Sequence, residues 1–420
     1  MSDAAPPSPL VWADDGQPRS RLYGDIYFST EDGLAESRAV FLAGCGLPQA
    51  WRGRSRFVVG ELGFGTGLNI LALLDLWRNT AEPGAHLHIF SLEAHPLSAD
   101  EARRALAAWP ELADIARLLT DGWPGQARGF HRVDLPEVSA TLDLAVMDAH
   151  QALEGWGGRA DAWFLDGFSP ALNPGMWDEP LLALVAARSA PGARAATFTV
   201  AGAVRRGLRA AGFSVEKRPG HGRKRERLEA RLPGEAVEIP RQRVAVVGAG
   251  IAGASAVHAL RALGCEALLI EAQAPGAGAS GNPAALVTPR LDAGLGPLAA
   301  LFAQAMDRAR RLYADTPDAL LSPGVLQLAE GPRDLERFGK IAASDLFEAG
   351  ALAMRPAFAA ADLLGEPVPA ALDLTGALVV EPAAILAAWC GEVVRARVAV
   401  LSRGDGVWIL TDAQGRTLAE

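Results

Sequence analysis

Two apolar stretches that each break into a glycine-rich turn constrain the fold of this 420-residue chain more than any other feature. The first reads RFVVGELGFGTGLNIL over residues 56–71, and the second reads RVAVVGAGIAGASAV over residues 243–257. A strand, a turn of glycines and a helix in this order is typical of α/β folds that hold a nucleotide, because glycine lets the backbone approach the ligand closely. We therefore predict two nucleotide-binding units of different design.

The pattern around the two turns predicts two α/β domains. From residue 57 to residue 232, short apolar strands alternate with helical patterns, which indicates a parallel sheet with helices on both faces. The stretch LPGEAVEIPRQR, residues 232–243, contains two prolines and no periodicity, and the β–α–β pattern restarts after it. We predict a Rossmann-like domain over 1–235, a linker over 236–242 and a second Rossmann domain over 243–420.

The charge of the chain bears on its partners. Forty Lys and Arg against 49 Asp and Glu give a net charge of −9, which by itself disfavours a polyanionic partner. Residues 205–231 depart from this average, because they hold ten basic and three acidic side chains. This basic patch is either a surface for a polyanion or a solvated basic face.

Several other classes of protein are disfavoured. The sequence has no uncharged apolar run of about eighteen residues, as a membrane span requires, and its N-terminus does not resemble an export signal. Its three cysteines form no CxxC pair, which argues against disulfides and structural zinc. The histidines of HLH, residues 86–88, and His95 lack a completing ligand cluster, so we interpret them as packing residues. We expect a monomeric cytoplasmic protein without a metal or a membrane partner.

The first glycine turn predicts an S-adenosylmethionine site. The next strand ends at Glu93, where a carboxylate can accept hydrogen bonds from both ribose hydroxyls, and Asp148 follows a third strand, in place for an adenine amine. A glycine loop, a ribose acid and an adenine acid in this order match a class I methyltransferase, although the turn could also belong to a domain without a cofactor. The expected cofactor contacts are Glu61, Gly63, Gly65, Gly67, Asn69, Glu93 and Asp148.

The fourth strand ends in AWFLDGFSPALNPGMW, residues 162–177, which places Asp166 and Phe168 beside the methyl donor. An alkyl ammonium has a pKa near 10 and must lose a proton before its nitrogen can attack a methyl group. Asp166 can orient the ammonium and accept that proton, and Phe168 can stack a base. The alternative interpretation of Asp166 is a turn aspartate before glycine.

These residues lie in stretches that resemble the bifunctional tRNA 5-methylaminomethyl-2-thiouridine biosynthesis proteins. The resemblance covers nearly all of residues 23–226 through GDIYFSTEDGLAESRAVFL, ELGFGTGLN, WFLDGFSPALNPGMW, TFTVAGAVRRGLRAAGF and GHGRKRE. It implies that the first domain methylates an aminomethyl group on the wobble uridine in the tRNA anticodon loop, with Asp166 as the catalytic aspartate. The residues expected to contact tRNA are Phe168, Arg205, Arg206, Lys217, Arg223, Lys224 and Arg225.

The second glycine turn predicts a dinucleotide site. Glu271 ends the next strand, where it suits a ribose diol and would repel a 2′-phosphate, so the cofactor is FAD or NAD. The loop GAGASGNPAALVTPRL, residues 276–291, resembles the flavin-contacting loop of amine and D-amino-acid oxidases, which favours FAD. The expected contacts are Gly248, Gly250, Gly253, Glu271, Ser280, Gly281 and Asn282.

The family resemblance implies that the second domain oxidises a carbon–nitrogen bond of carboxymethylaminomethyl uridine, which releases the aminomethyl group that the first domain methylates. Residues 320–420 resemble only the substrate-binding insertion of the flavin domain, so we expect its returning strand to be missing and FAD to be held weakly. Three alternatives remain open: a methyltransferase with a non-functional flavin domain, a methyltransferase and oxidase pair acting on a small amine, and an RNA-binding protein with a vestigial second domain.

Overall fold

The computed structural model describes residues 8–14, 16–29, 31–222, 224–238 and 240–420. The chain divides into two compact units, Met1–Pro240 and Arg241–Glu420. Among the described residues, no helix combines the length and the apolar character that crossing a lipid bilayer requires.

The first unit alternates strands and helices. Its strands are β1 (Leu10–Trp12), β2 (Pro18–Ser20), β3 (Arg56–Leu62), β4 (His86–Glu93), β5 (Gly129–Leu135), β6 (Ala140–Val146), β7 (Ala160–Leu165), β8 (Ser189–Thr197), β9 (Ser214–Pro219) and β10 (Glu226–Arg231). Its α-helices are α1 (Gly33–Ser37), α2 (Leu68–Thr80), α3 (Ala99–Leu106), α4 (Ala113–Asp121), α5 (Ala149–Gly155), α6 (Glu179–Ala187) and α7 (Gly202–Ala210). A π-helical turn, Arg38–Leu42, continues α1.

One mixed sheet organises this unit, with the strand order β5-β6-β4-β3-β7-β8-β10-β9 within the described residues. The five strands from β6 to β8 in that order are parallel, as predicted. The expectation of a parallel sheet is wrong at both edges, where β5 is antiparallel to β6 and β10 is antiparallel to β8 and β9. The connections from β5 to β6 and from β9 to β10 are short, and short connections of this kind join antiparallel neighbours. Strand β10 of the second hairpin then inserts beside β8.

Large aromatic side chains cover both faces of the sheet. Trp77 and Phe57 are buried in the cluster on one face, and Trp163 and Phe90 are buried in the cluster on the other. A Cβ at Gly60 in β3 would lie only 2.4 Å from the Trp163 ring, so glycine is needed for this packing. The two cores hold the carboxyl ends of β3, β4, β6 and β7 at one edge of the sheet.

The histidines of β4 take part in a polar network within the sheet. His86 Nε2 lies 3.0 Å from Thr141 Oγ1, and His88 Nε2 lies 2.8 Å from Asp143 Oδ2. Arg132 donates two hydrogen bonds of 2.7 Å to the same Asp143 carboxylate. Burial lowers the pKa of His86 to about 4. Within the described ranges, no three His, Cys, Asp or Glu side chains are grouped as metal ligands would be.

The second unit begins with a β–α–β arrangement. Its strands are β11 (Arg243–Val247), β12 (Glu266–Glu271), β13 (Ala285–Val287), β14 (Leu320–Leu328), β15 (Leu352–Arg355), β16 (Ala371–Val380), β17 (Val393–Arg395), β18 (Val400–Gly404), β19 (Val407–Thr411) and β20 (Thr417–Ala419). Its helices are α8 (Ile251–Ala262), α9 (Pro297–Ala314), α10 (Pro332–Ala342), α11 (Ala357–Leu364) and α12 (Pro382–Trp389).

Three sheets make up the described part of this unit. Strands β11, β12 and β17 form a parallel sheet, β13 to β16 form an antiparallel sheet around β16, and β18 to β20 form an antiparallel meander. The interpretation of residues 320–420 as an insertion only is wrong, because β17 pairs in parallel with β12 and α12 packs on α8. The buried contact between Trp389 and the His258 ring, with centroids 4.7 Å apart, joins these two helices.

Candidate functional site

The carboxyl ends of the parallel strands in the first unit surround a cavity of about 590 Å³. Most of the residues predicted from the first glycine turn and the fourth strand line it: Gly63, Gly65, Asn69, Glu93, Asp148, Asp166 and Phe168. Four strands contribute to this set, because loops at the carboxyl edge of a parallel sheet converge on one crevice. The volume lies within the range of about 300–1,000 Å³ that is usual for small-molecule sites.

The glycine loop after β3 has the backbone conformation that its sequence predicts. Gly63, Gly65 and Gly67 have φ angles of +86°, +51° and +78°, which side chains with a Cβ rarely adopt. The N–H of Gly65 donates a hydrogen bond of 3.1 Å to Glu93 Oε2, and the N–H of His95 donates one of 2.9 Å to Glu93 Oε1. The Glu93 carboxylate is thus fixed at the cavity wall, and each of its oxygens can accept a further hydrogen bond from a ligand.

Glu61 and Gly67 lie behind the cavity wall rather than in it. Glu61 is completely buried, and its Oε2 accepts a hydrogen bond of 2.6 Å from Ser91. Burial raises the pKa of Glu61 well above its usual range. A fully buried side chain does not line the cavity, so the structure does not place Glu61 as the expected cofactor contact, and its hydrogen bond joins β3 to β4 instead. Gly67 is the N-cap residue directly before α2, and a Cβ there would lie 3.1 Å from the Trp123 ring.

Asp148 is exposed at the start of α5, where its Oδ1 accepts a hydrogen bond of 2.9 Å from the N–H of His150. The His150 ring lies between two carboxylates, 3.5 Å from Asp148 and 3.2 Å from Asp178. This capping arrangement fixes Asp148 at the cavity rim and leaves its second oxygen available for a donor on a ligand.

Asp166 occupies the centre of a hydrogen-bonded chain. Its Oδ1 accepts from the N–H of Gly167 at 2.8 Å, and its Oδ2 accepts from the side-chain amide of Asn69 at 2.8 Å. The Ser37 hydroxyl donates to Asn69 Oδ1 at 2.7 Å, which turns the amide nitrogen towards Asp166. Burial raises the pKa of Asp166 to about 6, although both hydrogen bonds and the Lys224 ammonium oppose the rise. The group is thus a stronger base than an ordinary aspartate.

Three aromatic rings form the wall next to Asp166. The Phe168 ring lies 5.0 Å from the Tyr23 ring and 5.3 Å from the Tyr27 ring, measured between centroids. Trp177 holds the loop in place, because its indole N–H donates a hydrogen bond of 2.9 Å to the Phe168 carbonyl. Sequence reasoning missed the two tyrosines, although Tyr27 lies in GDIYFSTEDG and Tyr23 directly precedes it. The wall suits an aromatic base.

Lys224 lines the cavity, although its side chain is 45% exposed. Its Nζ is 2.7 Å from Glu36 Oε1 and 4.0 Å from the centre of the Phe198 ring. Both contacts hold the ammonium at the cavity rim, and the expectation that Lys224 meets a phosphate stays a prediction. Sequence reasoning missed Glu36, because it lies on α1, outside the glycine turns and strand ends from which the site was predicted.

The remainder of the basic patch is largely a hairpin of paired charges. Lys217 pairs with Glu226 at 2.7 Å, Arg218 pairs with Glu216 at 2.7 Å, and Arg227 pairs with Glu229 at 2.6 Å. In the part of the chain that the structure describes, Arg206 and Arg225 are exposed without an ion pair, and Arg205 is partly buried. Arg223 lies outside the described residues. Arg206 and Arg225 are therefore the best candidates for phosphate contacts.

The second glycine turn has the geometry of a dinucleotide loop. Gly248 has a φ of +103° and open space where a Cβ would be, and a Cβ at Gly253 would lie 1.8 Å from the Gly248 carbonyl oxygen. Glu271 Oε2 accepts from the N–H of Ala249 at 2.8 Å, and Oε1 accepts from the N–H of Gln273 at 2.7 Å. These two hydrogen bonds lower the pKa of Glu271 and keep it ionised at the end of β12.

The predicted flavin-contacting loop packs on this turn. Ser280 Oγ accepts from the N–H of Ile251 at 2.9 Å and lies at the start of α8. Gly281 must be glycine, because a Cβ would lie 2.5 Å from the Gly276 carbonyl oxygen. The exposed Asn282 donates to the Ala279 carbonyl at 2.9 Å. The structure therefore brings Gly248, Gly250, Gly253, Glu271 and Ser280 together, with Gly281 and Asn282 in the adjoining turn.

Comparisons with known proteins match both units. A family model described as S-adenosyl-L-methionine-dependent methyltransferase matches residues 110–233, and one described as FAD dependent oxidoreductase matches residues 243–419. The chain is 62% identical to a tRNA 5-methylaminomethyl-2-thiouridine biosynthesis bifunctional protein MnmC of Caulobacter sp. (strain K31), over 100% of this chain and 70% of the relative.

Two further relatives carry the same name. The protein of Caulobacter vibrioides is 62% identical over 98% of this chain and 70% of its own length, and that of Maricaulis maris is 52% identical over 80% and 58%. Among solved structures, MNMC2 from Aquifex aeolicus is 23% identical with a TM-score of 0.45, over 56% of this chain and 74% of that chain.

Proposed function

The chain belongs to the family of tRNA 5-methylaminomethyl-2-thiouridine biosynthesis bifunctional proteins, and we propose that its two units modify one tRNA base in consecutive steps. The second unit uses FAD to remove the carboxymethyl group from 5-carboxymethylaminomethyl-2-thiouridine. The first unit uses S-adenosylmethionine to methylate the 5-aminomethyl-2-thiouridine that results. The observation that carries the methylation step is the cavity that joins the glycine loop, Glu93 and Asp166.

S-adenosylmethionine fits the residues of this cavity. A Cβ at Gly65 would lie 3.2 Å from the Tyr27 ring, so glycine lets the loop backbone pack closely against the aromatic wall of the cavity. Glu93 would accept the ribose hydroxyls, and Asp148 would accept the adenine amine. The cofactor supplies an electrophilic methyl group. The protein's part is to hold the substrate nitrogen in line with that group and to remove the proton from the nitrogen.

Asp166 performs the proton transfer in this proposal. Its carboxylate is held by the Gly167 N–H and by Asn69, and its free lone pairs face the cavity, where they can accept the ammonium proton of the aminomethyl group. A pKa of about 6 keeps most of the carboxyl ionised at pH 7 while making it more basic than an ordinary aspartate. The aromatic wall of Tyr23, Tyr27 and Phe168 would stack the uracil ring, as single-stranded RNA bases stack on aromatic side chains.

FAD fits the second glycine turn. The open space at Gly248 and the N-terminus of α8 would accept the pyrophosphate, and the ionised Glu271 would accept the ribose hydroxyls. The bound flavin supplies hydride chemistry at the substrate carbon–nitrogen bond. Gly253 and Gly281 keep the turn close to the helix, because a Cβ at either position would collide with backbone oxygen.

The reaction of carboxymethylaminomethyl tRNA tests the proposal. With FAD and oxygen but without S-adenosylmethionine, nucleoside mass spectrometry should show aminomethyl uridine, and adding S-adenosylmethionine should convert it to methylaminomethyl uridine. The absence of both products would refute the two-step function. Methylation of preformed aminomethyl tRNA without removal of the carboxymethyl group would support the alternative of a methyltransferase with a non-functional flavin unit.

We also propose that the protein acts in the cytoplasm, since its tRNA substrate is found there. The monomeric state and the independence from metal ions stay predictions from the sequence. Methylation of a small amine in place of tRNA would leave the exposed Arg206 and Arg225 without a role, so salt-dependent tRNA binding distinguishes that alternative.

A further inference from the structure

We infer that Glu36 and Lys224 form a charge filter in the methyltransferase cavity, which admits the aminomethyl group and rejects the carboxymethylaminomethyl group. The inference rests on the proposed function and adds a specificity to it. It concerns the order of the two steps: the filter would keep the first unit from binding the substrate of the second unit. Glu36 accepts the substrate ammonium, and by occupying Lys224 it denies a cation to the substrate carboxylate.

The charges on the cavity wall support this inference. The acidic residues of the wall are Asp25, Glu31, Glu36, Glu93, Asp148 and Asp166. Among the described residues that line the cavity, Lys224 is the only lysine or arginine. Its ammonium is held by Glu36 Oε1 at 2.7 Å and by the face of Phe198. A carboxylate that enters the cavity therefore meets no uncommitted Lys or Arg among these residues.

The pair lies close enough to Asp166 to act on the same substrate group. The Lys224 ammonium lowers the pKa of Asp166 and the Glu36 carboxylate raises it, so both charges are felt at the catalytic carboxyl. The Glu36 side chain is only 14% exposed, which limits screening by water, and α1 also supplies Ser37 to the chain that orients Asn69. Glu36 Oε2 is available to a donor on the substrate, because Lys224 holds Oε1.

The two uridines differ in the charge that this pair would detect. The aminomethyl group is a cation, whereas the carboxymethylaminomethyl group adds a carboxylate and has no net charge at neutral pH. The cavity has more carboxylates than cations, and its one lysine is paired with Glu36, so it favours the cationic aminomethyl group over the carboxymethylaminomethyl group. Removing the charge of Glu36 would reverse the preference, because Lys224 would then be free to bind the carboxylate.

The test measures methylation of an aminomethyl anticodon stem–loop in competition with a carboxymethylaminomethyl stem–loop. The flavin is kept reduced without oxygen, so that the competitor is not consumed. In Glu36→Gln we expect the KM for the aminomethyl RNA to rise about tenfold and the inhibition constant of the competitor to fall about tenfold, as the exchange of one charged hydrogen bond would give.

Glu226→Gln is a matched control. Glu226 pairs with Lys217 at the same distance of 2.7 Å on the surface hairpin, and its substitution adds the same positive charge to the protein. Both variants should gain general RNA affinity, but only Glu36→Gln should change the ratio of the two constants. The double variant Glu36→Gln/Lys224→Met should lose the newly gained affinity for the competitor, since it retains no cation to bind it.

The outcomes separate the inference from the proposed function. If wild-type protein does not methylate the aminomethyl RNA, the proposed function fails. If it does, an unchanged ratio in Glu36→Gln, or an equal change in Glu226→Gln, overturns the filter. Should Glu36→Gln fail to bind S-adenosylmethionine, Lys224→Met decides alone: the filter predicts that the competitor remains weak in this variant, and a competitor that becomes about tenfold tighter overturns it.

Discussion

Replacing Asn69 with leucine should move the acid limb of the methylation pH profile to higher pH. Leucine has nearly the shape of asparagine but cannot donate the 2.8 Å hydrogen bond to Asp166 Oδ2. That bond stabilises the ionised carboxylate and lowers its pKa, whereas burial raises the pKa. Without the bond, the effect of burial is larger than the remaining opposing effects, and the pKa of Asp166 rises further. The change therefore tests whether the state of Asp166 controls methyl transfer.

The size of the shift follows from the strength of the bond. A hydrogen bond to a charged group contributes about 1.5–3 kcal/mol, and one pKa unit corresponds to about 1.4 kcal/mol. Because Asp166 is partly open to the cavity, we take the lower end, a rise of about one unit. The rate relative to its plateau should then fall about threefold at pH 6.5 and change by less than about 10% at pH 8.

The assay is kcat/KM for aminomethyl stem–loop RNA from pH 5 to pH 9, with S-adenosylmethionine affinity measured at each pH. Asn79→Ala is the control, because Asn79 lies exposed on the same helix and bonds only to Asp75 within the described contacts. Its acid limb should stay near pH 6. If Asn69→Leu retains the wild-type limb while losing only plateau rate, the link between Asn69 and the ionisation of Asp166 is refuted.

Three further predictions concern other parts of the chain. Asp143→Asn should destabilise the first unit by about 3 kcal/mol at pH 7, since it breaks a buried pair with Arg132. Burial would raise the pKa of Asp143, but Arg132 and His88 outweigh it and lower the pKa, so the loss should shrink in denaturant melts as the pH falls below about 4, where the unfolded wild-type chain takes up a proton that the folded carboxylate does not. Gly253→Ala should abolish flavin binding without affecting S-adenosylmethionine affinity, whereas Gly339→Ala in α10, where a Cβ has open space, should retain the flavin; full flavin absorbance in Gly253→Ala would contradict the packing argument. Arg225→Ala should reduce the salt slope of log tRNA affinity by about 0.7–0.9, and an unchanged slope would exclude Arg225 from phosphate contact.

The sequence predicts the central strands and both glycine turns because these features are local. An apolar run that ends in glycines leaves few alternatives, and Glu93 and Asp166 follow at the carboxyl ends of their strands. The edge strands β9 and β10 escape this reasoning, since their charged residues hide the alternation of buried Val215, Leu228 and Ala230. Their existence depends on the pairing of β10 with β8 and of β9 with β10, which no local pattern records.

The charge partners and the first helix could not be predicted for a related reason. Counting cations in the basic patch does not show that Lys217 pairs diagonally with Glu226, because cross-strand partners depend on the register of the hairpin. Glu36 and Lys224 lie near opposite ends of the sequence of the first unit, so no rule of sequence spacing relates them, although their side chains are in contact. Fully buried Glu61 looks like a cofactor contact in the motif, and only its burial shows otherwise.

Transfer of an isotopically labelled methyl group tests the central claim most directly. The protein is incubated with methyl-labelled S-adenosylmethionine and tRNA that bears aminomethyl uridine at the wobble position, and the digested nucleosides are separated. The account predicts one labelled methyl group per tRNA, found only as methylaminomethyl uridine, and its loss in Asp166→Asn while S-adenosylmethionine still binds. Label on another nucleoside, or an Asp166→Asn variant that methylates at the wild-type rate between pH 7 and pH 9, would contradict the account.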